Sequence, residues 1–176
     1  CTKILAGREL GFGPFASVNG IHIIQGKPAV GANLLASAVK ASGRYDYRVK
    51  KMDTAACEIE FFEVTNGKRE SLGVSSFTFE EARKAGTKNL DKFPRNMLFA
   101  RAMSNGVRWF CPDVFNGNAV YVPEELGAEV DGEGNVIDAG PVKVLTPPTN
   151  GNGSNGNYAP QPAAEDADFY DNPFAE

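Results

Sequence analysis

Cys57 to Phe77 hold the instruction that most limits what this chain can fold into. Cys57, Ile59 and Phe61 alternate with Glu58 and Glu60, an Asn66-Gly67 pair follows, and "ESLGVSSFTF" runs on from it. Period-two alternation puts apolar groups on one face of a strand and charges on the other. Asn-Gly tolerates the positive φ angles of a tight hairpin turn, so the two segments are predicted to fold back on each other. "YDYRVKKM", just upstream, reads as a further strand. The three make a meander whose Glu58 and Glu60 are a solvated face rather than a metal pair.

Helical signals surround this meander. Thr2 to Leu10 reads as a helix with Ile4 and Leu5 beside Arg8 and Glu9, ended by Gly11. "IHIIQGKPAV" gives two short strands about a Gly-containing turn. In "GANLLASAVKASG", Leu34, Leu35, Ala38 and Val39 recur at helical spacing, and Gly43 stops the run. Thr78 with Glu81 three residues on is a capping box for a short helix through Lys84.

"FPRNMLFARAMSNGVRWF" is the last strong element. Pro94 suits the first helical position; Leu98, Ala102 and Trp109 form one apolar line, and Phe99, Met103 and Phe110 another. The remaining line, Met97, Arg101, Ser104 and Arg108, carries the two interior cations. A helix apolar on most sides is buried, so its basic line is expected to face a groove. Pro112 ends it.

This order predicts an α+β domain: short helix, β-hairpin, helix, three-stranded antiparallel meander and buried basic helix. Residues 1–126 read as the core. Residues 127–176 read as a Gly/Asn/Pro-rich linker and acidic tail, too poor in apolar groups to offset the entropy of ordering, hence a disordered C-terminal tail. There is no internal repeat. The chain opens on Cys1 instead of Met, so a longer or processed parent is expected.

The glycines near the start raise a different possibility. Gly11, Gly13 and Ala16 fit G-x-G-x-x-A, and Gly26-Lys27 resembles the end of a P-loop. A dinucleotide loop needs a strand before its glycines and a helix after them, whose free N–H groups face the pyrophosphate. Pro14 interrupts that pattern and Val18–Ile24 reads as strand. A P-loop needs Ser or Thr after its Lys, where this chain has Pro28. The glycines are therefore read as turns bounding a hairpin, and no cofactor is expected.

No catalytic or metal constellation is expected either. Three cysteines, widely spaced, and a single histidine exclude a disulfide scaffold and any zinc-finger spacing, and suit a reducing cytoplasm. His22 alternates with Ile21 and Ile23 and reads as a strand histidine; Ser71, Ser75 and Ser76 lack the context of a nucleophile. No run is long enough to cross a bilayer, so no membrane role is expected.

Charge is more telling. Residues 1–122 hold seventeen Lys/Arg against eleven Asp/Glu, whereas residues 123–176 hold only Lys143 against eleven acids. A basic body with an acidic tail suggests a polyanion partner. Lys88, Lys92 and Arg95 lead into the buried helix, Arg101 and Arg108 continue along it, and Phe93 and Phe99 lie among them. Phosphate-neutralising cations interleaved with aromatics for base stacking are what a sequence-tolerant single-strand binder requires. Lys88 and Lys92 fit surface salt bridges equally well, and Lys27 at the hairpin turn fits either role. Arg101 and Arg108 favour the groove, because a mostly apolar helix has little reason to bury a cation without a partner.

Three stretches in order, "LAGRELGFGPFASVNGIHIIQGKPAV", "ANLLASAVKASGRYDY" and "KFPRNMLFARAMSNGVRWFCPDVF", make residues 1–117 resemble the RecT/Redβ class of phage single-strand annealing proteins. The resemblance implies ATP-independent annealing of complementary DNA strands, without enzyme chemistry, by a homo-oligomer arranged as a ring or helical filament. It implies a partner exonuclease and single-stranded DNA and annealed duplex as ligands. By position, Arg95, Arg101 and Arg108 match basic residues of the family's helix, and Lys27 matches the hairpin-turn region near the DNA backbone. Leu90 stands where the family often has Trp, and Asn96 and Phe99 replace positions that are basic in some members.

The expected function is thus phage-type recombination in the cytoplasm of a bacterial host, with a non-annealing single-strand binder of replication as the alternative and a nucleotide-dependent enzyme behind it. The tail's "EDADFYDNPFAE" resembles the acidic tips of bacterial single-strand binding proteins. It suits recruitment of a host single-strand binding or replication protein, competition with DNA for the basic body, or solubility alone.

Overall fold

The computed structural model describes residues 2–138. The linker and acidic tail over 139–176 lie outside the described residues. The body is α+β, as the sequence patterns predict.

Helices α1 (Thr2–Glu9) and α2 (Pro14–Gly20) pack on each other and lead into a hairpin of β1 (Ile21–Ile24) and β2 (Lys27–Val30). Helix α3 (Ala32–Ala41) follows, then the meander β3 (Tyr45–Met52), β4 (Ala56–Thr65) and β5 (Lys68–Thr78) in sequential antiparallel order. Helix α4 (Phe79–Lys84) opens on the full Thr78/Glu81 capping box. Helix α5 (Pro94–Phe110) starts with Pro94 in its first turn.

Cys57, Ile59 and Phe61 on β4 are fully buried, as their alternation requires. Helix α5 covers that face, contributing Met97, Leu98, Met103 and Val107, and α3 packs beside it through Leu35 and Val39. The contact is close at Gly106, where an added Cβ would stand 2.0 Å from the Phe61 ring. Ser75 crosses the same interface, donating its hydroxyl to the Ala102 carbonyl at 2.7 Å.

Two local predictions are corrected. Pro14 does not interrupt structure: it occupies the first turn of α2, where its missing N–H is no loss, so Val18–Gly20 are helical and the strand begins only at Ile21. Helix α1 leaves Ile4 and Leu5 exposed. Trp109 likewise leaves the apolar line assigned to it and is 60% exposed.

The chain also keeps its order past residue 126. A short helical turn at Pro123–Leu126 leads to a second hairpin, β6 (Glu129–Val130) and β7 (Val136–Asp138), with Ala128 and Val130 buried. Asp131 closes its turn by accepting from the Glu133 and Asn135 N–H groups at 2.8 and 2.9 Å. The Asn89 side chain donates to the Val130 carbonyl at 3.1 Å, and that of Asn96 donates to the Gly132 carbonyl, fastening this hairpin to the start of α5.

Candidate nucleic-acid interface

The fastening of the second hairpin creates two adjoining cavities along the first half of α5. The smaller, about 290 Å³, is lined by Lys92, Phe93, Pro94 and Arg95 with Thr54. The larger is a groove of about 820 Å³ between α2, β1, the start of α3, α5 and the 132–135 turn. Asn96 and Gly132 line both, so the two adjoin.

Four of the sequence-predicted site residues meet here. Lys92 and Arg95 are exposed and have no ion-pair partner among the described residues. Phe93 sits at the smaller cavity and Phe99 lines the larger, each half-buried. Their proximity is a matter of helical phase: residues 92 to 99 span the entry and first turns of α5, whose inner side is taken by Met97 and Leu98.

The other cations stand elsewhere. Lys27 is exposed at the tip of the first hairpin, and Lys88 lies 3.9 Å from Glu129; neither lines either of these two cavities. Arg101 and Arg108 do share a line on α5, but that line does not open on a groove. It is covered by residues 120–125, and both guanidiniums reach one carboxylate, Glu125, at 3.4 and 2.8 Å. Arg108 also donates to the Val120 carbonyl at 2.9 Å and to Asn105, and Arg101 stacks over the Phe77 ring. A buried cation requires such a partner, and the partner lies in a segment the sequence places at the edge of the core.

Next to this cluster is Glu124. Burial pushes its carboxyl up to about 7, a backbone hydrogen bond and Arg101 pull it down, and Glu125 adds to the rise. Arg101 Nε, Glu124 Oε2 and Glu125 Oε1 are buried with no hydrogen-bond partner among the described residues.

The larger groove contains residues to which the sequence reading gives no binding role: Phe15, Asn19, His22, Asn33 and Asn135. Phe15 and Asn19 are four apart on α2, with His22 just beyond, but nothing in a linear reading joins them to Asn33 or to Asn135, more than a hundred positions on. His22 is half-buried; burial and nearby Lys3 hold its pKa below the ordinary value, so the ring is neutral at neutral pH.

Cys57 and Cys111 are buried thiols that burial pushes up to about 11 and about 12, so neither is a thiolate at neutral pH. No group of three His, Cys, Asp or Glu side chains among the described residues could hold a metal ion, and no described helix is long and apolar enough to cross a membrane. Comparison with protein-family models, with curated proteins and with solved structures gave no match.

Proposed function

We propose that this chain binds single-stranded DNA and anneals complementary strands without ATP, in the manner of the RecT/Redβ-type recombination proteins that its sequence resembles. One observation carries the reading: from Lys92 to Phe99, two exposed cations and two phenylalanines border two adjoining cavities. Cations neutralise phosphates and release their counterions, while aromatic faces accept any base. Annealing makes and breaks no covalent bond. It asks the protein only to hold a strand and screen its charge against a complement.

In this reading the ligands are single-stranded DNA and its annealed duplex, the working form is a homo-oligomeric ring or filament, and an exonuclease supplies the strand in a bacterial cytoplasm. Two complementary oligonucleotides, one labelled at each end of the future duplex, give the test. Annealing accelerated equally with and without ATP is the expected result. Tight single-strand binding without acceleration would instead make the chain a replication accessory, and no binding at all would end both readings.

A further inference from the structure

We propose that the larger groove is a nucleobase pocket and the smaller cavity a phosphate seat, so that a strand runs its backbone over Lys92 and Arg95 and turns one or a few unstacked bases into the groove. This rests on the reading that the ligand is single-stranded DNA. The division follows from charge. None of the residues lining the larger groove is Lys or Arg, and two of them, Glu124 and Glu133, are acids. A phosphate placed there would meet acidic groups and no counter-charge.

A base is a better occupant. It is flat, neutral and edged with donors and acceptors, and proteins recognise single strands by splaying such bases onto aromatic faces and hydrogen-bonding their edges. Phe15 and Phe99 supply the faces; Asn19, Asn33 and Asn135 supply amides that both donate and accept. Neutral His22 adds one donor and one acceptor.

The smaller cavity reverses this composition. Its lining includes Lys92 and Arg95 and no acid. Asn96 and Gly132 belong to both cavities, so the two seats adjoin as phosphate and base do within a nucleotide. At about 820 Å³ the groove has the size of a small-ligand pocket, which limits the number of bases it holds. Bases beyond it stay outside, accessible to a complement.

The test compares an oligo-dT with an abasic strand of the same length and phosphate number, by fluorescence anisotropy over a salt series. The wild type is expected to bind oligo-dT more tightly than the abasic strand. Phe15 is 83% exposed, so Phe15→Ala spares the core; it is expected to weaken oligo-dT binding roughly tenfold while leaving abasic binding and the salt slope unchanged. Asn33→Ala, on the exposed start of α3, should likewise narrow the preference. Arg95→Ala should weaken both strands alike and lower the salt slope. Equal wild-type affinity for the two strands, or Phe15→Ala and Asn33→Ala variants that keep the full preference, would overturn the pocket while DNA binding stands. Failure of the wild type to bind either strand would overturn the DNA reading and the pocket with it.

Discussion

Helix α5 carries cations of one chemistry in two opposite states. At its entry, Lys92 and Arg95 are exposed and unpaired among the described residues. Further along, the side chains of Arg101 and Arg108 are only 20% and 23% exposed and share Glu125, itself 6% exposed. Water accounts for the difference. A hydrated cation meets a phosphate by exchanging solvent and counterions, whereas a desolvated one is stable only against a fixed carboxylate and must give that up before it can serve a ligand. Basic residues on one helix are therefore not one surface. The solvated pair is available to a polyanion, and the covered pair holds residues 120–125 against the helix.

The largest effect should come from the shared carboxylate. Glu125→Ala leaves two poorly solvated guanidiniums facing each other with no counter-charge. Losing one partner of a buried pair costs about 3–5 kcal/mol at full burial, and the residual exposure of both arginines places the loss near the lower end. Urea unfolding should show a loss of roughly 3 kcal/mol, while Arg95→Ala should fall within about 0.5 kcal/mol of wild type. Equal stabilities of the two variants would mean that the covered arginines are not held through Glu125.

That carboxylate also marks the limit of what the sequence reveals. The meander was legible because Cys57, Ile59 and Phe61 alternate up to an Asn-Gly turn, and α5 was legible because Pro94 starts it and its apolar lines persist for four turns. Helix α2 was missed because Pro14 breaks a pattern when met inside an element but starts one when met at its first turn. The β6–β7 hairpin was missed because "DGEGN" has linker composition, although Val130 and Val136 flank it as a turn. For the candidate site, the sequence gathered Lys92, Phe93, Arg95 and Phe99, which one helix brings together. It could not pair Arg101 with Glu125, twenty-four residues away, nor assemble Phe15, Asn33 and Asn135 from three separate elements.

The covered cluster should also make stability depend on pH. Glu124 keeps its proton up to about 7 in the folded chain, against an ordinary value of 4.5. Between those values the native state binds more protons than the unfolded one, so this group's contribution to stability falls as pH rises. His22, lowered by burial and by Lys3, tilts the curve the other way below 6.5, so the test is a difference between variants at each pH. Glu124→Gln removes the first contribution and leaves the second. Its stability relative to wild type should climb by up to about 1.4 kcal/mol from pH 5 to pH 6, read from urea midpoints. Parallel curves for the two proteins would place the Glu124 carboxyl in contact with water.

At the solvated end, stability should hardly change and salt dependence should change instead. Each phosphate neutralised on a single strand contributes about 0.7 to the slope of log affinity against log salt. Lys92→Ala and Arg95→Ala should each lower that slope by about this amount, and the double variant by about 1.4, with urea midpoints unmoved. Lys88, 3.9 Å from Glu129, and Lys27, at the hairpin tip, line neither cavity, so their removal should alter the slope less. The contrast matters because all four are exposed lysines or arginines, and general electrostatic attraction would weight them alike, on a body whose residues 2–138 balance seventeen Lys/Arg against seventeen Asp/Glu. A slope that drops only for Lys92 and Arg95 assigns the strand a path along the entry of α5. A slope that drops for Lys27 and not for Arg95 would move that path to the first hairpin, leaving the start of α5 solvated but idle.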